Sequence, residues 1–265
     1  CFLFSAFDSF SRPMNISCLV TVLAAGLLLG GTQKLPAQSM RDISQYPTNT
    51  ALLPGKGPAP KWSGLPRVWA ERQAQFAKTA NHDRGAVVFL GDSITQGWRS
   101  LAADFPNLKV ANRGIGGDTT RGVLFRLDAD VLSLQPRAIV LLIGTNDIGA
   151  GADPADISDN IKEILKRIRR KYPKMPVIVC EVMPSSEQQH RPPATIEELN
   201  ALIKKDVKHK RHVYLCDTWS IYAQPDGDCP KNLFPDSLHP NTVGYAKWAA
   251  ALKPIFAKLN FQAGE

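Results

Sequence analysis

The sequence predicts a three-layer α/β/α domain on a five-stranded parallel sheet of flavodoxin-like order. Five short apolar runs alternate with helix-period segments, the pattern that produces right-handed β–α–β crossovers. The run Ala138 to Ile143 (AIVLLI) is apolar without alternation, as expected of a strand covered on both faces. About five strands favour this order over the longer dinucleotide-binding one.

Taken in order, residues 1–37 read as a leader. Met14 precedes an apolar run, Cys18 to Gly30. It is shorter than the ~20 residues that cross a bilayer, and it suits the centre of a signal peptide cleaved near Ala37. A secreted or periplasmic location follows, without a stable membrane span. No Lys or Arg lies between Met14 and the run, so an uncleaved anchor is the competing reading. Residues 38–64, rich in Pro, Gly, Ser and Thr, read as an N-terminal arm, and residues 65–265 as the domain.

Within the domain, Leu65 to Ala80 is helical in pattern. The strand runs are Ala86 to Leu90, Leu108 to Ala111, Ala138 to Ile143, Val177 to Val182 and Val213 to Cys216. Asp153-Pro154 caps a helix whose apolar stripe is Ile157, Ile161, Ile164, Leu165 and Ile168. Thr195 and Glu198 form a capping box for the next helix. Tyr245, Trp248, Ala249 and Leu252 mark a last helix, which Pro254 bends or ends.

A 265-residue chain with 44% hydrophobic content can bury a proper core. Its net charge of +8 raises the question of a nucleic-acid partner. Most of the excess lies on Lys162 to Lys174 and Lys204 to Arg211, at helix ends and solvent faces where cations complement the helix dipole. No series of aromatics alternates with them as a base-stacking platform, so no nucleic acid is expected. Cys180, in an apolar run, reads as a buried thiol, while Cys216 and Cys229 could pair in an oxidising compartment.

The unusual polar residues fall directly after strands. They are Gly91-Asp92-Ser93-Ile94-Thr95, then Asn112-Arg113-Gly114-Ile115-Gly116-Gly117-Asp118, then Gly144-Thr145-Asn146-Asp147, and, beyond a loop, Asp236-Ser237-Leu238-His239-Pro240. Parallel strands present their carboxyl ends on one edge, so these segments converge on a single crevice. It would hold a hydroxyl, an imidazole, a carboxylate, an amide and a glycine-rich backbone, the parts needed for acyl transfer.

GDSIT, GIGGD, GTND and DSLHP, in this order, closely resemble the four blocks of the GDSL/SGNH hydrolases, and most of all the branch of platelet-activating-factor acetylhydrolase and related acetyl esterases. The resemblance covers roughly Val87 to Ala257. It implies Ser93 as nucleophile, His239 as general base and Asp236 as its orienter. It also implies an oxyanion hole of the Ser93 N–H, the Gly117 N–H and the Asn146 amide. The choice of Gly117 over Gly116 rests on the resemblance alone.

The chemistry agrees with these assignments. A serine hydroxyl attacks only once a base takes its proton, histidine titrates near neutrality, and a carboxylate on the other ring nitrogen fixes the tautomer. Ser93 stands outside any G-x-S-x-G elbow, which disfavours the α/β-hydrolase fold. Singly, each residue has a plainer role: Ser93 or Asp147 as a helix cap, Asn146 or Asp236 in a turn, His239 on the surface. Asp92 reads as structural, Trp98 and Phe234 as core, and Thr95, Arg113 and His190 receive no role.

The resulting expectation is a serine esterase acting on short, above all acetyl, esters, with no metal or cofactor and a small-molecule or carbohydrate ester as its partner. The alternatives are a lysophospholipase or thioesterase of the same family, or a catalytically silent sugar-binding module.

Overall fold

Five strands carry the fold: β1 (Val87–Gly91), β2 (Val110–Gly114), β3 (Ala138–Leu142), β4 (Val177–Cys180) and β5 (Val213–Cys216). They pair in parallel in the order β2-β1-β3-β4-β5, the flavodoxin-like order expected. The computed structural model describes residues 42–60 and 62–261. The leader read over residues 1–37, with the signal peptide expected there, and the start of the arm lie outside the described residues.

Alternate side chains of each strand go to opposite faces. Val88, Leu90, Ile139, Leu141, Val177 and Val179 belong to one buried cluster. Val87, Phe89, Val140, Leu142, Ile178 and Cys180 belong to the other. The runs of β1, β3 and β4 are apolar because both of their faces are covered. The first cluster is closed by α4 (Thr120–Asp130), α6 (Pro154–Lys171) and α7 (Pro193–Val207). The second is closed by α8 (Thr242–Lys258) and by residues of the short helices α2 (Ser93–Gln96) and α3 (Leu101–Asp104). Two further helices, α1 (Leu65–Asp83) and α5 (Thr145–Gly149), complete the set used below.

Local chemistry accounts for the helix ends. The Asp153 carboxylate accepts the Ala155 N–H at 2.8 Å, with Pro154 at the first helical position of α6. Its five-residue apolar stripe is buried, each side chain worth ~1.5–3 kcal/mol against exposure. The expected capping box does not start α7. That helix begins at Pro193, ahead of Thr195, because the fixed proline φ already suits the first turn. Pro254 lies inside α8, which continues to Lys258.

The second strand also differs from expectation. It runs to Gly114, so Asn112 and Arg113 sit in the ladder opposite Phe89 and Leu90 rather than in a loop. Arg113 tolerates this because its guanidinium donates to Asp83 on α1 at 2.7 Å and lies 4.5 Å from the Phe76 ring centroid. Cys180, Cys216 and Cys229 are buried and free. Trp98 and Phe234 are buried in the core.

Residues 42–60 pack against the domain. Tyr46 and Leu53 are buried with Leu65, Trp69 and Ile115. The Trp69 indole N–H donates to the Ile43 carbonyl at 2.8 Å. Arg121 on α4 donates to the carbonyls of Leu53 (2.7 Å), Gly57 (2.8 Å), Thr50 (3.0 Å) and Pro54 (3.4 Å). Among the described residues no helix is long and apolar enough to cross a membrane.

Candidate active site

Strand β1 ends at Gly91, where a Cβ would lie 2.2 Å from the Leu142 carbonyl; only glycine fits between neighbouring strand ends. Asp92 then caps α2, its Oδ1 accepting the Ile94 N–H at 2.9 Å. The cap is thus Asp92, not Ser93, and Ser93 is left at the start of the helix facing a cleft. Asp92 is fully buried, and its Oδ2 has no partner among the described residues. Burial pushes its carboxyl up to about 7, and the Ile94 bond offsets only part of that.

The imidazole arrives from the opposite side, on the long connection between β5 and α8. Asp236 Oδ1 accepts the N–H groups of Leu238 (3.0 Å) and His239 (2.8 Å), folding the segment into a tight turn. Ser237, inside it, takes a left-handed φ of 63°. Its carbonyl is held by the Ser185 hydroxyl at 2.7 Å. Within that turn His239 Nδ1 lies 2.6 Å from Asp236 Oδ2, and His239 Nε2 lies 2.8 Å from Ser93 Oγ. An ionised carboxylate only accepts, so Nδ1 carries the proton and Nε2 is the acceptor facing the hydroxyl. Burial tends to raise the Asp236 pKa. The bonds from the His239 N–H, its ring and the Leu238 N–H together prevail and hold it below the usual carboxylate value.

Across the cleft lie Gly116, Gly117 and Asn146. The Gly116 N–H is already taken by Gln96 Oε1 at 2.6 Å. The Gly117 N–H meets no acceptor among the described residues. Gly117 has φ +78°, and a Cβ there would stand 2.6 Å from the Trp62 ring. The Asn146 amide nitrogen donates to the Asp118 carbonyl at 2.9 Å, leaving one of its two protons unused. Asp147 accepts the Thr120 N–H and hydroxyl, tying the third block to the second. Arg126, buried against Asp118 at 2.8 Å, also donates to the Gly91 carbonyl at 3.1 Å, tying the second block to the first.

The structure therefore brings Ser93, His239, Gly117 and Asn146 to one cleft of about 520 Å³ at the carboxyl edge of the sheet, with Asp236 bonded to His239 behind it. Its arrangement can move a proton from a hydroxyl to an imidazole beside a set of uncommitted N–H donors. A second groove of about 560 Å³ lies at the start of β5, lined by lysines, Arg169, Arg211 and His212. It holds no hydroxyl–imidazole pair, so chemistry places the site in the first cleft.

Three lining residues carried no signal in the sequence. Trp62 comes from the segment read as an arm and is about half exposed (49%) at the cleft. Gln189 and Arg191 come from the loop between β4 and α7. All three lie outside the four motif blocks, and only folding brings them to the cleft. Thr95 is buried beside Gly91, and His190 takes a left-handed φ of 57° in the same loop as Gln189 and Arg191.

The sequence matches the family model of the GDSL-like Lipase/Acylhydrolase family over residues 89–247. It is 30% identical over 224 residues to platelet-activating factor acetylhydrolase IB subunit alpha2 of Homo sapiens, covering 82% of this chain and 94% of that one. The fold is similar to that of a GDSL-like lipase from Bacteroides thetaiotaomicron, with a TM-score of 0.61, 24% identity, and 70% and 98% of the two chains covered. It is also similar to a catalytic mutant of an acetylxylan esterase from Geobacillus stearothermophilus, with a TM-score of 0.54, 19% identity, and 65% and 94% covered.

Proposed function

The chain belongs to the GDSL-like lipase and acylhydrolase family and is an esterase of that family, and from this premise we propose that it removes acetyl groups from a carbohydrate alcohol. The observation that carries the reading is the continuous line from Asp236 Oδ2 through His239 to Ser93 Oγ, with links of 2.6 and 2.8 Å, beside uncommitted donors.

Ser93 Oγ attacks the ester carbonyl as His239 Nε2 takes its proton. The oxyanion is received by the Ser93 N–H, the Gly117 N–H and the free Asn146 Nδ2 proton. Collapse expels the alcohol, which takes the proton from His239 and leaves an acyl-Ser93 ester. Water, deprotonated by His239, then adds to that ester, and collapse breaks the bond to Ser93 Oγ, which takes the proton back from His239 as the acid leaves. Asp236 keeps the proton on Nδ1 throughout.

Two observations support a small acyl group. Two of the similar proteins are, by name, an acetylhydrolase and an acetylxylan esterase. Gly116, Gly117, Gly149 and Ala150 contribute small residues to the cleft lining, which suits a short acyl group. The half-exposed Trp62 supports a sugar alcohol, since an indole face packs on the C–H face of a pyranose. Export, by the leader read over residues 1–37, would place the enzyme among such polysaccharides.

The test is hydrolysis of a chromogenic acetate, butyrate and octanoate series and of acetylated xylo-oligosaccharides. Acetate should turn over fastest, Ser93→Ala should abolish turnover, and Trp62→Ala should raise KM for the oligosaccharide but not for the chromogenic acetate. Turnover surviving Ser93→Ala would remove the mechanism, and preference for octanoate would remove the acetyl reading.

A further inference from the structure

Arg191 lies in the loop between β4 and α7, away from every motif block, yet its guanidinium is anchored at the oxyanion side of the cleft. Nε donates to the carbonyl and the hydroxyl of Thr145 at 2.9 and 3.0 Å. Nη1 donates to the Gln189 carbonyl, and Nη2 donates to Asn146 Oδ1 at 2.9 Å. A Cβ on Gly149 would come within 2.8 Å of Nη2, so the guanidinium rests directly on the backbone of α5. Two residues earlier, the Gln189 amide donates to the Asp236 carbonyl at 2.8 Å. One short loop thus grips both the turn that carries the imidazole and the helix that carries the amide.

We propose that Arg191 is a positioning residue that fixes the orientation of the Asn146 carboxamide, so that an Nδ2 proton always faces the developing oxyanion. The inference rests on reading Asn146 as an oxyanion donor. Its physical basis is that a carboxamide has two faces of nearly equal shape and opposite polarity. In the observed orientation Oδ1 meets a cation and Nδ2 meets the Asp118 carbonyl. Turned over, oxygen would face oxygen and N–H would face N–H, unfavourable at both ends. Without the guanidinium, only the Asp118 contact discriminates. The cation also draws electron density towards Oδ1, which makes the remaining Nδ2–H a stronger donor.

The test is a double-mutant cycle with a spectroscopic arm. Arg191→Met should lower kcat about 10–50-fold with KM nearly unchanged, less than the ~10²–10³ expected for losing one oxyanion donor outright. Arg191→Lys should recover part of that, supplying charge without the fork. In an Asn146→Ala background Arg191→Met should add less than about threefold, because a positioning residue has nothing left to position. In 1H–15N spectra the Asn146 side-chain pair, identified by its loss in Asn146→Ala, should shift in Arg191→Met while the melting profile is retained in Arg191→Lys.

An undiminished loss in the Asn146→Ala background, or an effect on KM alone, overturns the proposal. So does an unmoved Asn146 amide pair, whatever the activity of the protein. If Asn146→Ala itself leaves kcat intact, it is the oxyanion reading that fails, and the amide spectrum still decides whether Arg191 sets the carboxamide.

Discussion

Replacing Asp236 by Asn should be worse for catalysis than replacing it by Ala. The carboxylate has two jobs: Oδ1 receives the Leu238 and His239 N–H groups, and Oδ2 receives His239 Nδ1–H. In Asp236→Asn the amide oxygen keeps the two backbone donors, since turning it over would set N–H against N–H. The amide nitrogen then faces Nδ1 and forces it to act as acceptor. The ring proton moves to Nε2, where it points at Ser93 Oγ and the base is blocked. In a buried protease triad this exchange costs about 10⁴ in turnover. Here the side chains of Asp236 and His239 are 55% and 40% exposed, so water competes. We expect a fall in kcat of ~10²–10³, equivalent to about 2.7–4.1 kcal/mol. In Asp236→Ala water can reach Nδ1 and accept its proton, restoring the useful tautomer, so the loss should be roughly tenfold smaller. The assay is steady-state hydrolysis of a chromogenic acetate with melting curves for each variant. An Asn variant as active as the Ala variant, with both folded, would refute the tautomer argument.

Gly117→Ala must hold an L-residue at φ +78° and force the Trp62 ring back; it should cost ~1–2 kcal/mol in urea unfolding and lower kcat. Adding Trp62→Ala should relieve the overlap without restoring turnover, because the left-handed backbone cost remains. Arg121→Ala removes the group that collects the carbonyls of Thr50, Leu53, Pro54 and Gly57, and should cost about 2–3 kcal/mol and expose residues 50–57 to proteolysis. A loss below about 0.5 kcal/mol would mean that the segment is held by Tyr46 and Leu53 instead. Asp92, raised from 3.8 to about 7, stabilises the fold fully below the lower value and loses that contribution as pH rises towards 7, since the folded state binds its proton more tightly than the unfolded one. Asp92→Asn, uncharged throughout, should gain on the wild type between pH 4 and pH 8 in denaturant titrations; an identical pH dependence of the two would rule this out.

The parts legible in the sequence are those whose causes are local. The stripe of α6 and its Asp153-Pro154 start are set within a few residues, and both-faced burial is written into Ala138 to Ile143. The convergence of the first three motif blocks follows from strand direction, while the fourth reaches the cleft on a long connection after β5. What could not be read depends on distant partners. Arg113 enters a strand because Asp83 and Phe76, far earlier in the chain on α1, receive it. Gly117 rather than Gly116 offers its N–H because the Gln96 side chain occupies the other. Trp62 sits in the segment read as an arm and Arg191 between a strand run and the next helix, where no motif marks it, and each becomes part of the cleft by tertiary placement. The start of α7 was a competition between two local signals, in which proline preceded the capping box.

The spacing of Asp236 and His239, three positions apart on one turn, makes the proton-handling pair a self-contained module. Its internal geometry survives small shifts of the loop, and such shifts alter a single gap, the one to Ser93. Gradual loosening by heat or by mutation of the loop's anchors should therefore silence the enzyme while its strands and helices are still in place. Inactivity in a drifting descendant of this chain would be an early event and a reversible one, because re-tightening one joint is enough to bring the reaction back.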